Sequence, residues 1–405
     1  MMNTESQPKD VLSKDEKKKG RAPLLLIFLT VFIDLVGFGL IIPVLPTYAQ
    51  QLHADGTQVG LLLASYSLMQ FLFTPFWGRL SDRIGRRPVL LVSLLASSVG
   101  YAIWGLSTSL EALFLSRIVA GAGNANIAVA QAYVSDVTSA ENRAKGMGMV
   151  GAAFGLGFVL GPAIGGFSAA YGLQTIGFIA CAISVVDLVL TFFLLPEPEK
   201  RSHAGAERFA VGKGFYLETL ASEKLRTSLA IFFISTFAFA NMEATLVMLT
   251  RDQFSFTPQQ NSLMFTYIGV LIVLVQGGMI HRLAKKYGEK RLISIGTVLV
   301  SLGLLLTPFT KSVPVLCAAL ALLAVGSGIN NPSNQSMISK LAPPDRVGGV
   351  LGVGQSLSTL GRILGPSVGG ASFQYLGMSS PYVIGAVAMV VAFLISLRLP
   401  DVHAK

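Results

Sequence analysis

The 405-residue chain is 52% hydrophobic and only 13% charged, about half the ionic share of a soluble domain. A chain this apolar cannot hide its side chains in one aqueous core, and lipid is the solvent that suits it. The formal net charge of +10 does not mark a nucleic-acid partner, because the excess sits in the N-terminal tail and at helix ends.

A bilayer-crossing helix needs roughly 20 residues, and twelve runs qualify. They fall at about 23–46, 58–78, 89–107, 111–134, 146–168, 172–195, 227–250, 260–281, 292–310, 313–337, 349–371 and 378–399. Lys14, Lys17, Lys18, Lys19 and Arg21 precede the first run as in a secretory signal. The apolar run that follows is too long to be a cleaved one, so it is expected to remain as the first span. Residues 1–22 read as a polar, disordered tail and 400–405 as a short C-terminal one. Arg79, Arg83, Arg86, Arg87, Arg143, Lys145, the Lys200–Arg226 segment, Arg282, Lys285, Lys286, Lys290 and Arg291 all fall on one side, and only Arg251 and Lys311 on the other. The positive-inside bias places that basic side, with both termini, in the cytoplasm. Cys181 and Cys317 lie within apolar spans and read as small core residues.

The longest connection, 196–226, divides the chain into two six-span halves, 23–195 and 227–399. The halves repeat. Arg143 and Gly161-Pro-Ala-Ile-Gly-Gly166 return as Arg346 and Gly365-Pro-Ser-Val-Gly-Gly370, at an offset of 203 to 204 residues. The segment from Gly121 returns near Gly326, and the basic loop with Gly85 returns with Gly288. Parallel six-helix repeats that rock about a central site are one way to build a transporter. The fold expected is therefore an all-α membrane protein of two pseudo-symmetric bundles, and one chain suffices, so a monomer is expected.

Between the second and third spans stands Gly78-Arg-Leu-Ser-Asp-Arg-Ile-Gly-Arg-Arg-Pro88. Gly78 permits close helix approach, Gly85 a tight turn, and Pro88 a helix start. Asp82 among Arg79, Arg83, Arg86 and Arg87 suits a conformational latch, although a topogenic basic loop would look similar. In the fifth span Gly157, Gly161 and Gly165 recur every four residues, a face for backbone-to-backbone packing, and Pro162 can bend the helix. Asp34 falls near the middle of the first span, where an ionised side chain costs about 2.5–3.5 kcal/mol. It suits a proton pathway, or an Asp hydrogen-bonded for structure alone. Arg117, Asn124, Asn126 and Gln131 make the fourth span polar along one stripe. Glu243 and Arg362 are the charged exceptions of the second half, either a second proton or cation site or a structural pair. Asp187 in the sixth span reads as protonated or locally paired. Phe71, Phe73, Phe76, Trp77, Tyr101 and Trp104 either line an apolar cavity or pack.

The loop at 78–88 resembles the signature loop of the major facilitator superfamily. Asp34-Leu-Val-Gly-Phe-Gly-Leu-Ile-Ile-Pro-Val-Leu-Pro46 resembles the first helix of tetracycline-type efflux pumps and related drug–proton antiporters. Arg117-Ile-Val-Ala-Gly-Ala-Gly-Asn124 looks like the family's Arg-containing motif. Gly151, Gly155, Gly157, Gly161, Pro162, Gly165 and Gly166 look like its antiporter motif. The resemblance implies a proton-coupled antiporter of the bacterial inner membrane that exports amphipathic small molecules or drugs. It further implies that Asp34 lies on the proton or cation-substrate route, that Arg117 aids proton exchange, and that the fifth helix seals the interface between halves. Tetracycline pumps lead one to look for acidic residues within the third and ninth spans. Neither has one, which argues against metal–tetracycline as cargo. A sugar, lipid-like or metabolite cargo on the same fold is the alternative, and a non-transporting sensor or scaffold a remote one.

Enzyme chemistry finds no support. Gly121-Ala-Gly lacks the strand-then-helix setting of a dinucleotide fingerprint, and no phosphate-binding Lys motif is present. His53, His203, His281 and His403 are scattered without ligand spacing. No cofactor or metal is expected.

Overall fold

Proline and glycine set where the apolar runs stop. The computed structural model describes residues 14–124, 126–138, 140–198, 213–343 and 346–401, and all its regular structure is helical. The first run gives α1 (Lys14–Ile41), which ends before Pro43, and a turn leads into the short α2 (Leu45–Gln51) with Pro46 in its first turn. Asp55 and Gln58 form a reciprocal capping box that opens α3 (Gly56–Ile84). Gly85, at φ 107°, alone separates α3 from α4 (Arg86–Leu106). The first half is completed by α5 (Leu110–Gly123), α6 (Asn126–Val137), α7 (Ala140–Ala169) and α8 (Leu173–Leu194). The second half contains α9 (Lys213–Ala221), α10 (Glu223–Phe254), α11 (Pro258–Leu274), a π turn (Val275–Met279), α12 (Ile280–Leu306), α13 (Val313–Leu341), α14 (Val347–Leu376) and α15 (Ser380–Ser396).

Among the described residues nine helices are long and apolar enough to cross a membrane. One of them, Pro258–Phe309, is 52 residues long and breaks at Gly288 (φ 74°), so it supplies two crossings. The Gly- and Ser-rich α14 and the 17-residue α15 complete the expected twelve.

Two expectations are corrected. The helix begins at Lys14, inside the tail expected to be disordered, because Lys and Glu are good helix formers. The fourth span is two helices, because Asn124 leaves helical geometry at ψ 87°. The central connection carries a helix of its own, α9. Residues 1–13, 199–212 and 402–405 lie outside the described residues, as do the side chains of Arg143 and Lys145.

The repeat is visible in the packing. In the first half α1 lies on α7 and α8, α3 on α5, and α4 on α5 and α8. In the second, α10 lies on α14 and α15, α11 on α13, and α12 on α13 and α15. Glycine makes the tightest of these contacts. A Cβ at Gly161 would stand 2.6 Å from the Gly39 Cα, and one at Gly165 would stand 2.6 Å from the Leu40 carbonyl oxygen. The equivalent Gly365 closes on α10 in the same way, 2.6 Å from the Phe237 carbonyl oxygen. The Gly157–Gly161–Gly165 face therefore packs α7 backbone to backbone onto α1, within the first half. The helix that carries it does reach the interface, but through another face, with Gly155 against Val273 and Gly166 against Ser262. It also runs unbroken through Pro162.

The halves meet where α3 lies on α14 and α7 on α11. One end of the molecule carries Arg79, Arg83, Arg86 and Arg87, here termed the basic face. At the far face Gly60 lies under Pro366, and a Cβ at Gly370 would stand 2.2 Å from the Gly56 carbonyl oxygen. Gln374 accepts from the Gly56 N–H at 3.0 Å, and Arg251 donates to Gln50 at 2.7 Å. Towards the basic face, by contrast, a Cβ at Gly78, Gly148, Gly151, Gly277, Gly278, Gly348 or Gly352 would meet no atom within 4 Å. The halves touch at the far face and part at the basic one.

The basic-face ends of α4 and α12 carry equivalent ion pairs of opposite polarity. Arg86 binds Asp136 at 2.8 Å and Asp82 at 2.9 Å. Glu289, which occupies the matching position 203 residues on, binds Lys340 and accepts from Ser336. Burial opposes the charge on Glu289, but Lys340, the backbone and Ser336 outweigh it and hold the carboxyl below the usual carboxylate range.

Gly161→Val is expected to cost about 1–3 kcal/mol through overpacking, while Gly151→Val leaves stability unchanged. Thermal melts of the purified protein check both. A depressed carboxyl stabilises the fold above its unfolded value, about 4.3, and that contribution is lost as pH falls through the lower folded value. Glu289→Gln should therefore lower the melting temperature near neutral pH, with the difference shrinking as pH falls below about 4.3.

Candidate transport site

A carboxylate in a hydrocarbon-embedded helix needs polar company, and the break in the fourth span supplies it. Asp34 is 4% exposed and faces the amides of Asn126 and Asn124, on either side of that break. Asn124 also donates to the Tyr66 hydroxyl at 2.6 Å and accepts from Gln70 at 2.9 Å. A polar thread thus runs from α1 through the break into α3. Gln131 is left out of it. The break rephases the helix and leaves that side chain exposed, so the stripe expected along one face ends at Asn126.

Arg117 is 2% exposed and finds its company in aromatic rings. Its guanidinium lies 5.1 Å from the centroid of Trp104, 5.9 Å from Tyr101 and 6.0 Å from Tyr66, and donates to Ser116 at 3.1 Å. Cation–π attraction grows when water is excluded, so three ring faces offset much of the burial cost. Tyr101 and Trp104 therefore serve as packing around this charge. Phe73 and Phe76 are exposed, and Trp77 donates to the Ala122 carbonyl at 2.6 Å.

Between the halves lies a cavity. The first half contributes Phe38, Tyr66 and Arg117, and the second contributes Glu243, Arg362 and Pro366. Arg362 acts on Glu243 through space, without direct ion-pair contact. The structure thus brings together Arg117, Glu243 and Arg362, residues scattered over more than half the chain, with Asp34 reaching the group through the Asn124–Tyr66 thread. Sequence reasoning missed Tyr66, which gave no signal beyond being an aromatic in an apolar run. The apolar walls, from Phe38, Ile41, Ile42 and Leu63, with charge at a few points, are the usual make-up of a small-molecule site.

Among the described residues, the contacts of the arginine-rich loop that can be traced stay within the first half. Arg86 ties α3 to α6 through Asp82 and Asp136, and Arg87 lies over the Phe192 ring at 5.5 Å and donates to the Phe192 carbonyl. Arg79 bonds within its own helix, to the Pro75 carbonyl. Glu197 accepts from the backbone N–H groups of Arg86 and Arg87 at 2.6 and 2.8 Å, a carboxylate set on a helix N-terminus. A Cβ at Gly85 would strike that carboxylate, so the turn needs glycine for space as well as for its positive φ. Glu197 was not foreseen, although an acid just past the end of the sixth span, on a basic side, was its signal. Asp187 lies apart from the cavity, between α8 and α1. Among the described residues no cluster of three or more His, Cys, Asp or Glu side chains suits a metal ion.

The sequence model of the Major Facilitator Superfamily matches residues 27–280 and 228–405. Tetracycline resistance protein, class C, of Escherichia coli is 35% identical over 358 residues, covering 86% of this chain and 89% of that one. Multidrug resistance protein 2 of Bacillus subtilis (strain 168) is 30% identical over 379 residues, covering 91% and 92%. The crystal structure of the human organic anion transporter MFSD10 (TETRAN) superposes with a TM-score of 0.71 at 27% identity, covering 93% of this chain and 99% of that one. The chain belongs to the Major Facilitator Superfamily and is a multi-pass membrane transporter, not an enzyme.

Proposed function

We propose that the protein is a proton-coupled antiporter that exports amphipathic small molecules by alternating access. The observation that carries this reading is the cavity itself: it lies between the halves, is largely apolar, holds Glu243, Arg117 and Arg362, and is bounded by Pro366, which packs on Gly60 at the far face. With the basic face in the cytoplasm, a molecule taken up from inside would reach this cavity. Rocking the halves would then close the glycine-lined gap and open the far face. Asp34, and Glu243 as a second group, exchange protons with cargo during the cycle. Arg86 with Asp82 and Asp136 holds the basic-face ends of the first half as one rigid piece while it moves. One charge crossing 100 mV supplies about 2.3 kcal/mol, a gradient of roughly fifty-fold. The names of the bacterial relatives, tetracycline and multidrug resistance proteins, favour drugs as cargo. The work is done by one chain in the bacterial inner membrane.

A second reading concerns the charge of the cargo. Two arginines against one glutamate line the cavity, which favours an amphipathic anion, and the human structure at 27% identity is named an organic anion transporter.

In proteoliposomes, Asp34→Asn should fold and insert but lose substrate-dependent proton flux at least tenfold. Wild-type flux in that variant would remove Asp34 from the coupling route. Across a panel of lipophilic cations and organic anions, Glu243→Gln should weaken cation export and Arg362→Gln anion export, and whichever series moves cargo in the wild type decides between the readings. Gly352→Trp, which fills the basic-face gap, should keep cargo binding but cut transport at least tenfold. Undiminished transport would mean that this end does not close.

A further inference from the structure

A second, lateral pocket lies between α1 and α8. Its wall is apolar, with Leu26 and Leu29 on one helix and Leu190 and Leu194 on the other. Against this wall stands one carboxyl. Asp187 is 1% exposed; only the hydroxyls of Thr191, 3.5 Å from Oδ1, and Thr30 approach its carboxyl, and Oδ2 receives no hydrogen bond of ordinary length. Thr30 and Thr191 share a hydrogen bond of 3.1 Å beside it. An unpaired acceptor at that burial is costly unless something arrives to satisfy it.

Its place in the fold says where the visitor comes from. The neighbours of α8 are α4, α1 and α7, all from the first half, so the pocket faces away from the central cavity. Leu29, Leu190 and Leu194 are 36%, 37% and 52% exposed, and Phe193 beside them 75%, which opens the pocket to the acyl chains. Asp187 sits two turns from the basic-face end of α8, hence in the leaflet on that side. On α1, Thr30 and Asp34 share a face at four-residue spacing, so the pocket adjoins the carboxyl of the central route.

We propose that this pocket is a lateral binding site for lipophilic ammonium compounds that enter from the basic-face leaflet. The ammonium N–H donates to Asp187 Oδ2, and the apolar body lies along the leucines. The purpose of the site rests on the reading of the protein as an exporter of amphipathic molecules, but its binding does not. The test is photolabelling of the membrane-embedded protein with an aryl-azide tertiary amine (4-azidophenethyl dimethylamine), set against its neutral methyl-ether analogue, with adducts mapped by mass spectrometry. The amine should label 26–30 and 190–195 in the wild type and fall at least tenfold in Asp187→Asn, while Asp34→Asn keeps the label though it loses transport. The neutral analogue should label wild type and Asp187→Asn alike. Leu190→Trp, which fills the mouth and keeps the carboxyl, should block the amine as well. Equal amine labelling in wild type and Asp187→Asn, or labelling that survives Leu190→Trp, would overturn the site and leave Asp187 as a proton carrier or a structural group.

Discussion

In hydrocarbon an apolar side chain gains nothing by leaving lipid for a neighbouring helix, so close backbone approach must hold a bundle together. In this protein that burden falls on glycine. The Gly157–Gly161–Gly165 face brings α7 onto α1, and the same register 204 residues on brings α14 onto α10. Each pair forms the inner wall of its half. Because the walls are welded by backbone contact, each half can move as a body, and what remains free is the interface between them.

That interface uses glycine differently at its two ends. At the far face Gly60, Gly166 and Gly370 are filled by the opposing half, and at the basic face their counterparts face open space. The charges of the cavity sit between these ends. Arg117 is held by rings and Glu243 by the field of Arg362, so neither is locked into a short ion pair. A charge held this loosely remains available to cargo, which a closed salt bridge would not allow.

Much of this was legible in the residues. Charged side chains in apolar runs are rare enough that Asp34, Arg117, Glu243 and Arg362 stood out, and the repeat paired Gly85 with Gly288, which both take positive φ. Periodicity shows which face of a helix is special but not which neighbour it meets, so the glycine ladder of α7 announced a backbone contact without naming α1 as the partner. The break at Asn124 left no proline as a marker. Nor could spacing show that Trp104 and Tyr101, on another helix, would enclose Arg117, because cation–π geometry is decided by packing alone.

The reversed polarity of the two basic-face ion pairs bears on how such a chain assembles. Two halves with the same helix order and the same glycine registers risk exchanging elements while they fold, α4 settling on α13 and α12 on α6. In that misassembly Arg86 would face Lys340 and Glu289 would face Asp136. Both encounters are between like charges, and repulsion against the wrong partner is a recognised source of specificity. The swapped polarity therefore disfavours that exchange, so the same two pairs that tie helices within a half also discriminate against the other half's helix.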